Sequence, residues 1–185
     1  MFFPPIVGAI SLAKEKETGS ILNMYCSSVT RAEYLLGKML PYVAISLIIC
    51  LVFIAYIIIF CQVPLRGNFL VLITASFFYV AAAIGTGLLV AVLVNTQIAA
   101  ILLTSMFTLT PTFLYSGFMV PVSNVDEGSR FMSYAIPSTH YIDLLRKIMV
   151  KGVSFNLVQA EFLAIAVICL SLYLICIKLF KKRLG

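Results

Sequence analysis

Residues 13–38, AKEKETGSILNMYCSSVTRAEYLLGK, form the one long polar segment in the first two-thirds of an otherwise apolar chain. Thr30 and Glu33 are spaced as in a capping box, in which the threonine hydroxyl accepts from the amide of Glu33 and the carboxylate accepts from the amide of Thr30. We therefore expect a helix to begin at Thr30, to lie near the membrane surface, and to turn into the bilayer around Pro41.

The part of this segment before Thr30 predicts a short amphipathic helix. Four apolar side chains share one face of that helix: Ile21, Leu22, Met24 and Tyr25. An amphipathic helix between two spans suits docking to a soluble partner. A surface helix that rests on lipid headgroups would give the same pattern, and the residues leave both interpretations open.

The composition is that of a polytopic membrane protein. Of the 185 residues, 62% are hydrophobic and 11% are charged, and the mean hydropathy is +1.10. A soluble domain needs far more polar surface. The net charge of +6 comes from basic residues scattered over loops and the C-terminus, so no direct nucleic-acid partner is predicted. The five cysteines lack a CxxC pair, which favours buried free thiols over disulfides or metal ligands.

The apolar runs predict an all-α helix bundle. Residues 1–12 are too short to span a bilayer and look like the end of a helix whose beginning is missing, so we expect an N-terminally truncated chain. The longer uncharged runs predict four spans: 39–63, with Pro41 in its first turn, 69–94, 98–116 and 160–180. Small residues repeat at a spacing of four in the second of these runs, as Ala81/Gly85 and Ala83/Gly87, and predict close helix packing.

The basic residues predict the orientation of the bundle. If residues 13–38 lie in the cytoplasm, the polar break at 95–97 and the C-terminus lie there too. Eight of the thirteen Lys and Arg residues are then on that side, as the positive-inside rule requires.

Residues 117–157 predict an outer segment that either re-enters the bilayer or lies along its interface. Apolar residues follow Pro137 at helical spacing: Tyr141, Leu144, Leu145, Ile148 and Met149. Ser138 is the expected N-cap and Gly152 the expected residue after the helix. A gating role and simple interfacial packing both fit this pattern.

Charged side chains near that helix carry two further expectations. Asp143 is spaced to pair with Arg146 or Lys147 on the polar face. Glu161 lies at the outer mouth of the last span, where we expect a solvated interfacial acid.

Several kinds of chemistry are not indicated by the sequence. No ionisable residue lies deep in a predicted span, which disfavours an ion-coupled carrier. His140 is the only histidine, so no metal site is predicted, and no catalytic motif or cofactor site is recognised. Gly37-Lys38 lacks the earlier glycine of a phosphate loop. Any ATP-driven work therefore requires a separate ATPase, and residues 13–38 are the substantial surface for it.

Two stretches carry a family resemblance. KEKETGSILNMYCSSVTRAEYLLGKMLPY, residues 14–42, resembles the E-x-G…P-[VI]-[ST]-R-x-E-x-x-x-G-K-x-x-P-Y signature of type-2 ABC exporter permeases. SGFMVPVSNVDEGSRFMSYAIPSTHYIDLLRKIMVKG, residues 116–152, looks like that family's S-G-[FL]-x-x-P…P-x-x-Y-x-[IL]-x-x-x-R…[FM]-x-K-G segment. With VNTQIAAIL between them, the chain looks most similar to the permease part of exporters whose ribosome-associated-type ATPase is fused to it.

The resemblance implies a six-span permease of which this chain holds the end of the second span through to the sixth. It implies three sets of functional residues: ATPase-coupling residues Glu15, Glu17, Gly19, Ile21, Leu22, Met24 and Tyr25; an elbow cap of Thr30 and Glu33; and outer-gate residues Gly117, Pro121, Pro137, Tyr141, Arg146 and Gly152. The implied partners are an ABC ATPase, a second permease unit and the lipid bilayer.

The leading hypothesis is thus a membrane subunit, not itself an enzyme, of an ATP-driven exporter in a bacterial inner membrane. The alternative is a truncated, non-transporting remnant, or an anchor that tethers an ATPase or a ribosome-associated factor.

Overall fold

The computed structural model describes residues 3–21, 30–63, 67–115, 133–134, 136–153 and 157–180. Its main helices are α1 (Phe3–Glu17), α2 (Arg31–Phe60), α3 (Phe69–Leu93), α4 (Gln97–Tyr115), α5 (Pro137–Arg146) and α6 (Gln159–Leu179), and α5 continues into a π-helical turn, Lys147–Lys151. Within the described residues, α2, α3, α4 and α6 are long and apolar enough to cross a membrane. An all-α membrane bundle is therefore confirmed.

Helix α2 begins where the capping box predicts. The amide of Thr30 donates to the Glu33 carboxylate at 2.8 Å, and the amide of Glu33 donates to the Thr30 hydroxyl at 3.3 Å. The helix then runs without a break from Arg31 to Phe60. The placement of Pro41 in the first turn of a separate span was therefore wrong, since the cap at Thr30 starts one long helix that takes Pro41 into its interior. A proline there removes one backbone hydrogen bond of the helix.

Helix α3 lies at the centre of the bundle, and both of its small-residue faces carry a neighbouring helix. On one face, a Cβ placed on Gly87 would lie 1.9 Å from the carbonyl oxygen of Pro5 in α1. On the other, the Tyr173 hydroxyl of α6 donates to the carbonyl oxygen of Ala81 at 2.9 Å. The close packing predicted from these small residues is present, because only small side chains let two helix backbones approach this closely.

The beginning of α2 and the end of α6 lie at the same end of the bundle. The ring of Tyr34 stacks on that of Phe180, with centroids 5.8 Å apart. The short connection between α3 and α4 is at this end as well. Glu15, near the end of α1, pairs with Lys38 of α2, and Glu17, two residues later, contacts Gln97 at the start of α4. We call this the basal end, and its assignment to the cytoplasm stays a prediction.

Helix α5 packs at the opposite end and corrects one expectation. Ile136, not Ser138, is the N-cap residue, without a side-chain cap bond, and Pro137 occupies the first turn. Proline suits that position because it lacks the amide that a cap would satisfy. Ser138 is buried instead, and its hydroxyl lies 3.5 Å from that of Tyr79. Gly152 ends the π-helical turn in the left-handed conformation, with φ of 60°, as glycine permits.

Candidate functional site

The basal end carries a group of polar side chains that we call the basal cluster: Glu15, Lys16 and Glu17 from α1, and Tyr34 and Lys38 from α2. Glu15 is at its centre. Its carboxylate lies 2.7 Å from the ammonium group of Lys38 and accepts a hydrogen bond from the Tyr34 hydroxyl. The Lys38 side chain is only 9% exposed, so its charge depends on this carboxylate for compensation.

Lys16 binds the C-terminal end of α3. Its ammonium group donates to three backbone carbonyl oxygens, those of Ala91 at 2.8 Å, Val92 at 2.6 Å and Val94 at 3.0 Å. The last carbonyls of a helix have no partner within the helix and carry the negative end of its dipole. A lysine in this position therefore satisfies all three and compensates the dipole.

Glu17 occupies the matching position at the start of α4. Its carboxylate accepts from the amide of Gln97 at 2.8 Å, where the positive end of the α4 dipole favours an anion. Adjacent residues of opposite charge thus hold the two helix ends that meet at the α3–α4 connection. The end of α1 and this connection form one hydrogen-bonded unit.

These contacts change the acid–base properties of the cluster. Partial burial raises the pKa of Glu15, but the bonds to Lys38 and Tyr34 outweigh this effect and leave the pKa below its usual value. Burial lowers the pKa of Lys16. Glu15 is therefore a stable anion at neutral pH.

Of the predicted ATPase-coupling residues, Glu15 and Glu17 belong to the basal cluster. The observed partners of both side chains are residues of this same chain. Gly19 follows α1 with φ of 74°, and Ile21 is buried in the core, 7% exposed. Leu22, Met24 and Tyr25 lie outside the described residues. The roles of all these residues, and of Thr30 and Glu33 as the elbow cap, stay predictions.

Sequence reasoning missed Lys16, Tyr34 and Lys38 as members of the cluster. The partners of Lys16 are about 75 positions away along the chain, so no local pattern links them. One signal could have been used. The sequence predicts that one helix ends and another begins at residues 95–97, and the adjacent Lys16 and Glu17 have the charges that favour a helix end and a helix start.

The described outer-gate residues lie on α5 and the turn that follows it. Tyr141 is buried; its ring stacks on that of Tyr79 with centroids 4.1 Å apart, and its hydroxyl lies 2.8 Å from that of Ser76. Arg146 lies 4.0 Å from Asp143, one of the two pairings expected. Pro137 and Gly152 bound the helical segment, whereas Gly117 and Pro121 lie outside the described residues.

Glu161 corrects the expectation of a solvated acid. Its side chain is 18% exposed and forms an ion pair with Lys147 of the π-helical turn. The packing of α5 against α6 brings the two residues together, across 14 positions of sequence. This ion pair links the π-helical turn that follows α5 to the start of α6.

The comparisons with known proteins identify the class. Residues 1–180 match the family model described as ABC-2 family transporter protein, and the chain belongs to this family. Its apolar helices α2, α3, α4 and α6 are those of a membrane domain of this family.

The chain is similar to three named permeases or transporters. It is 26% identical over 147 residues to the Escherichia coli K12 protein named probable multidrug ABC transporter permease YbhS, covering 80% of this chain and 39% of that protein. It is 27% identical over 153 residues to YbhR of the same strain, covering 83% and 41%. It is 25% identical over 173 residues to ABC transporter G family member 20 of Dictyostelium discoideum, covering 92% and 23%. The chain thus spans about two-fifths of the bacterial relatives. No solved structure matches it.

Proposed function

We propose that this chain forms part of the substrate path of an ATP-driven exporter and that a cytosolic ABC ATPase drives it through residues 13–38. The observation that carries this proposal is the basal cluster. It ties the end of α1 to both sides of the α3–α4 connection and to α2. A displacement applied to residues 13–38 would therefore be transmitted to α3, the central helix of the bundle.

The fold supplies a route for that displacement to reach the opposite end. Helix α3 extends from the basal cluster to α5, where Ser76 and Tyr79 contact Tyr141 and Ser138. A packed helix transmits small shifts because its interfaces have little free volume. In this proposal, movement of α3 repositions α5 and the turn after it, and so opens or closes the path at that end.

Further details of the proposal come from the relatives and from the surface of the bundle. Two relatives are named as probable multidrug permeases, which suggests apolar drug-like substrates. Helix α4 exposes large apolar side chains that suit lipid or a second permease unit: Leu102, Met106 and Phe107. We further propose an inner-membrane location, a cytoplasmic C-terminus and a likeness to exporters with a fused ribosome-associated-type ATPase.

A vesicle assay tests the proposal. Everted membrane vesicles that contain the full-length protein and its ATPase would be given the dye Hoechst 33342, with and without ATP. The expected result is ATP-dependent dye accumulation that persists when the proton gradient is collapsed. The Lys16→Met variant should reduce accumulation, whereas Lys14→Met, an exposed neighbour, should not. Accumulation driven by a proton gradient alone, or none at all, would contradict the proposal.

A further inference from the structure

A cavity of about 250 Å³ lies among the start of α1 and helices α2, α3 and α5, away from the basal cluster. Its walls are mainly apolar side chains, with the stacked rings of Tyr79 and Tyr141 among them. Sites for drug-sized ligands measure roughly 300–1,000 Å³, so this cavity suits a smaller molecule. At the packing density of protein interiors it holds about ten to twelve non-hydrogen atoms.

Ser46 gives the cavity a polar group that lacks a partner. The residue lines the cavity and is 3% exposed, and among the described residues its hydroxyl has no hydrogen-bond partner. Two other hydroxyls in the spans bond to their own helix: Ser76 donates to the carbonyl of Leu72 at 2.7 Å, and Thr108 to that of Thr104 at 2.6 Å. The Thr104 hydroxyl also lacks a partner among the described residues, but it does not line this cavity. Burying a hydroxyl without a partner is energetically costly, and a hydrogen bond to a bound ligand would recover that cost.

The edge of the cavity is apolar and exposed. Phe53 is 63% exposed, Phe3 50% and Ile57 37%, and all three line the cavity. Phe53 and Ile57 lie on a helix long and apolar enough to span the membrane, so the opening faces the hydrocarbon region. A ligand would therefore enter from the bilayer and not from water.

We propose that this cavity binds a small amphiphile dissolved in the bilayer, with one hydroxyl group on Ser46 and an apolar ring or branched alkyl body against Tyr79 and Tyr141. The hydroxyl of such a ligand can both donate to and accept from the serine hydroxyl. The apolar body fills space that water would occupy poorly, since the walls offer few polar partners. Binding at this site requires no ATPase and goes beyond the proposed transport function.

Tryptophan fluorescence offers a direct test because the chain has no tryptophan. Phe53→Trp places a single reporter at the cavity. Phe60→Trp is a matched control on the same helix, since Phe60 is 71% exposed and lies outside the cavity lining. Both variants would be reconstituted in liposomes, which add no tryptophan of their own, and titrated with 4-bromo-2,6-dimethylphenol, whose bromine quenches tryptophan on contact. The expected result is saturable quenching at position 53 and linear, non-saturable quenching at position 60.

Ser46→Ala in the Phe53→Trp background tests the hydrogen bond. The phenol should bind about two- to ten-fold more weakly, which is the net effect of losing one hydrogen bond. The analogue 5-bromo-1,2,3-trimethylbenzene, in which a methyl group replaces the hydroxyl, should bind both proteins equally. This second ligand separates loss of the hydroxyl from a change in the shape of the cavity, and thermal unfolding would establish that the variant is folded.

Two results would overturn the proposal. Linear quenching at both positions would mean that the phenol only partitions into lipid, or that an acyl chain or a protein segment already fills the cavity. Unchanged phenol affinity in the Ser46→Ala variant would remove Ser46 from the site.

Discussion

Replacing Gly87 with alanine tests the close approach of α1 to α3. The new Cβ would lie 1.9 Å from the carbonyl oxygen of Pro5 and 3.0 Å from the amide nitrogen of Ala9. The first distance is 1.5 Å short of the 3.4 Å at which ordinary contact begins. Because the obstructing atoms belong to the backbone, no side chain can turn aside, and α1 must move away from α3. Overpacking of this kind costs about 3 kcal/mol or more.

Gly85→Ala is the matched control, two residues away on the same helix. Its Cβ would lie 3.4 Å from the ring of Tyr173, which is normal contact, and alanine favours a helix by about 1 kcal/mol over glycine. Gly87→Ala should therefore lower the Tm of the purified protein by roughly 6–12 °C, whereas Gly85→Ala should leave it unchanged or raise it by about 2–4 °C.

The assay is a thermal melt with a maleimide dye that becomes fluorescent on reaction with thiols. Cys61 is exposed and would react in the folded protein, so Cys26, Cys50 and Cys61 would be replaced with serine in all variants. Cys169 and Cys176 are buried and would react only when the bundle unfolds. Equal melting temperatures for the two alanine variants would refute the inferred contact between Gly87 and Pro5.

Three further predictions concern the basal cluster. Glu15→Lys should destabilise the bundle because it leaves Lys38 buried beside a second cation. Adding Lys38→Glu should restore most of the lost Tm. If the double variant melts no higher than Glu15→Lys, the stabilising effect of Glu15 does not come from its ion pair with Lys38. Lys16→Met should lower stability by about 1–3 kcal/mol because three carbonyls lose a charged donor, with Lys14→Met near wild type, and equal melting of the two variants would contradict this. The depressed pKa of Glu15 stabilises the fold above the usual value of 4.5, and this contribution is lost as the pH falls through the lower folded-state pKa. Melts of wild type and Glu15→Gln should therefore converge on acidification, and a constant difference between them would show that this carboxylate does not contribute.

The features that the sequence predicted well depend on residues close together along the chain. The Thr30–Glu33 capping box is an exchange of two hydrogen bonds within four residues, so its spacing identifies it. The small residues around Gly87 and the apolar face that includes Tyr141 follow from helical periodicity alone. Periodicity indicates which face is packed but does not name the neighbour.

The features that were missed depend on how distant segments pack. The charge order Lys16-Glu17 favours contacts with a helix end and a helix start but does not say which helices these are. Glu161 was expected in solvent because its partner, Lys147, belongs to another helical segment. Ser138 resembled a cap by residue type, but burial against Tyr79 outweighed that local preference. Tertiary packing decided each of these positions.

A photo-crosslinking experiment tests the central claim, that an ABC ATPase contacts residues 13–38. A photoreactive amino acid would replace Ser20, an exposed residue of that segment, or Phe60, at the other end of α2. After irradiation of intact membranes, mass spectrometry would identify each crosslinked protein. The account predicts that Ser20 crosslinks to a protein with a GxxxxGK[ST] phosphate-binding motif and that Phe60 does not. Crosslinking of such a protein at both positions, or at neither, would contradict the account.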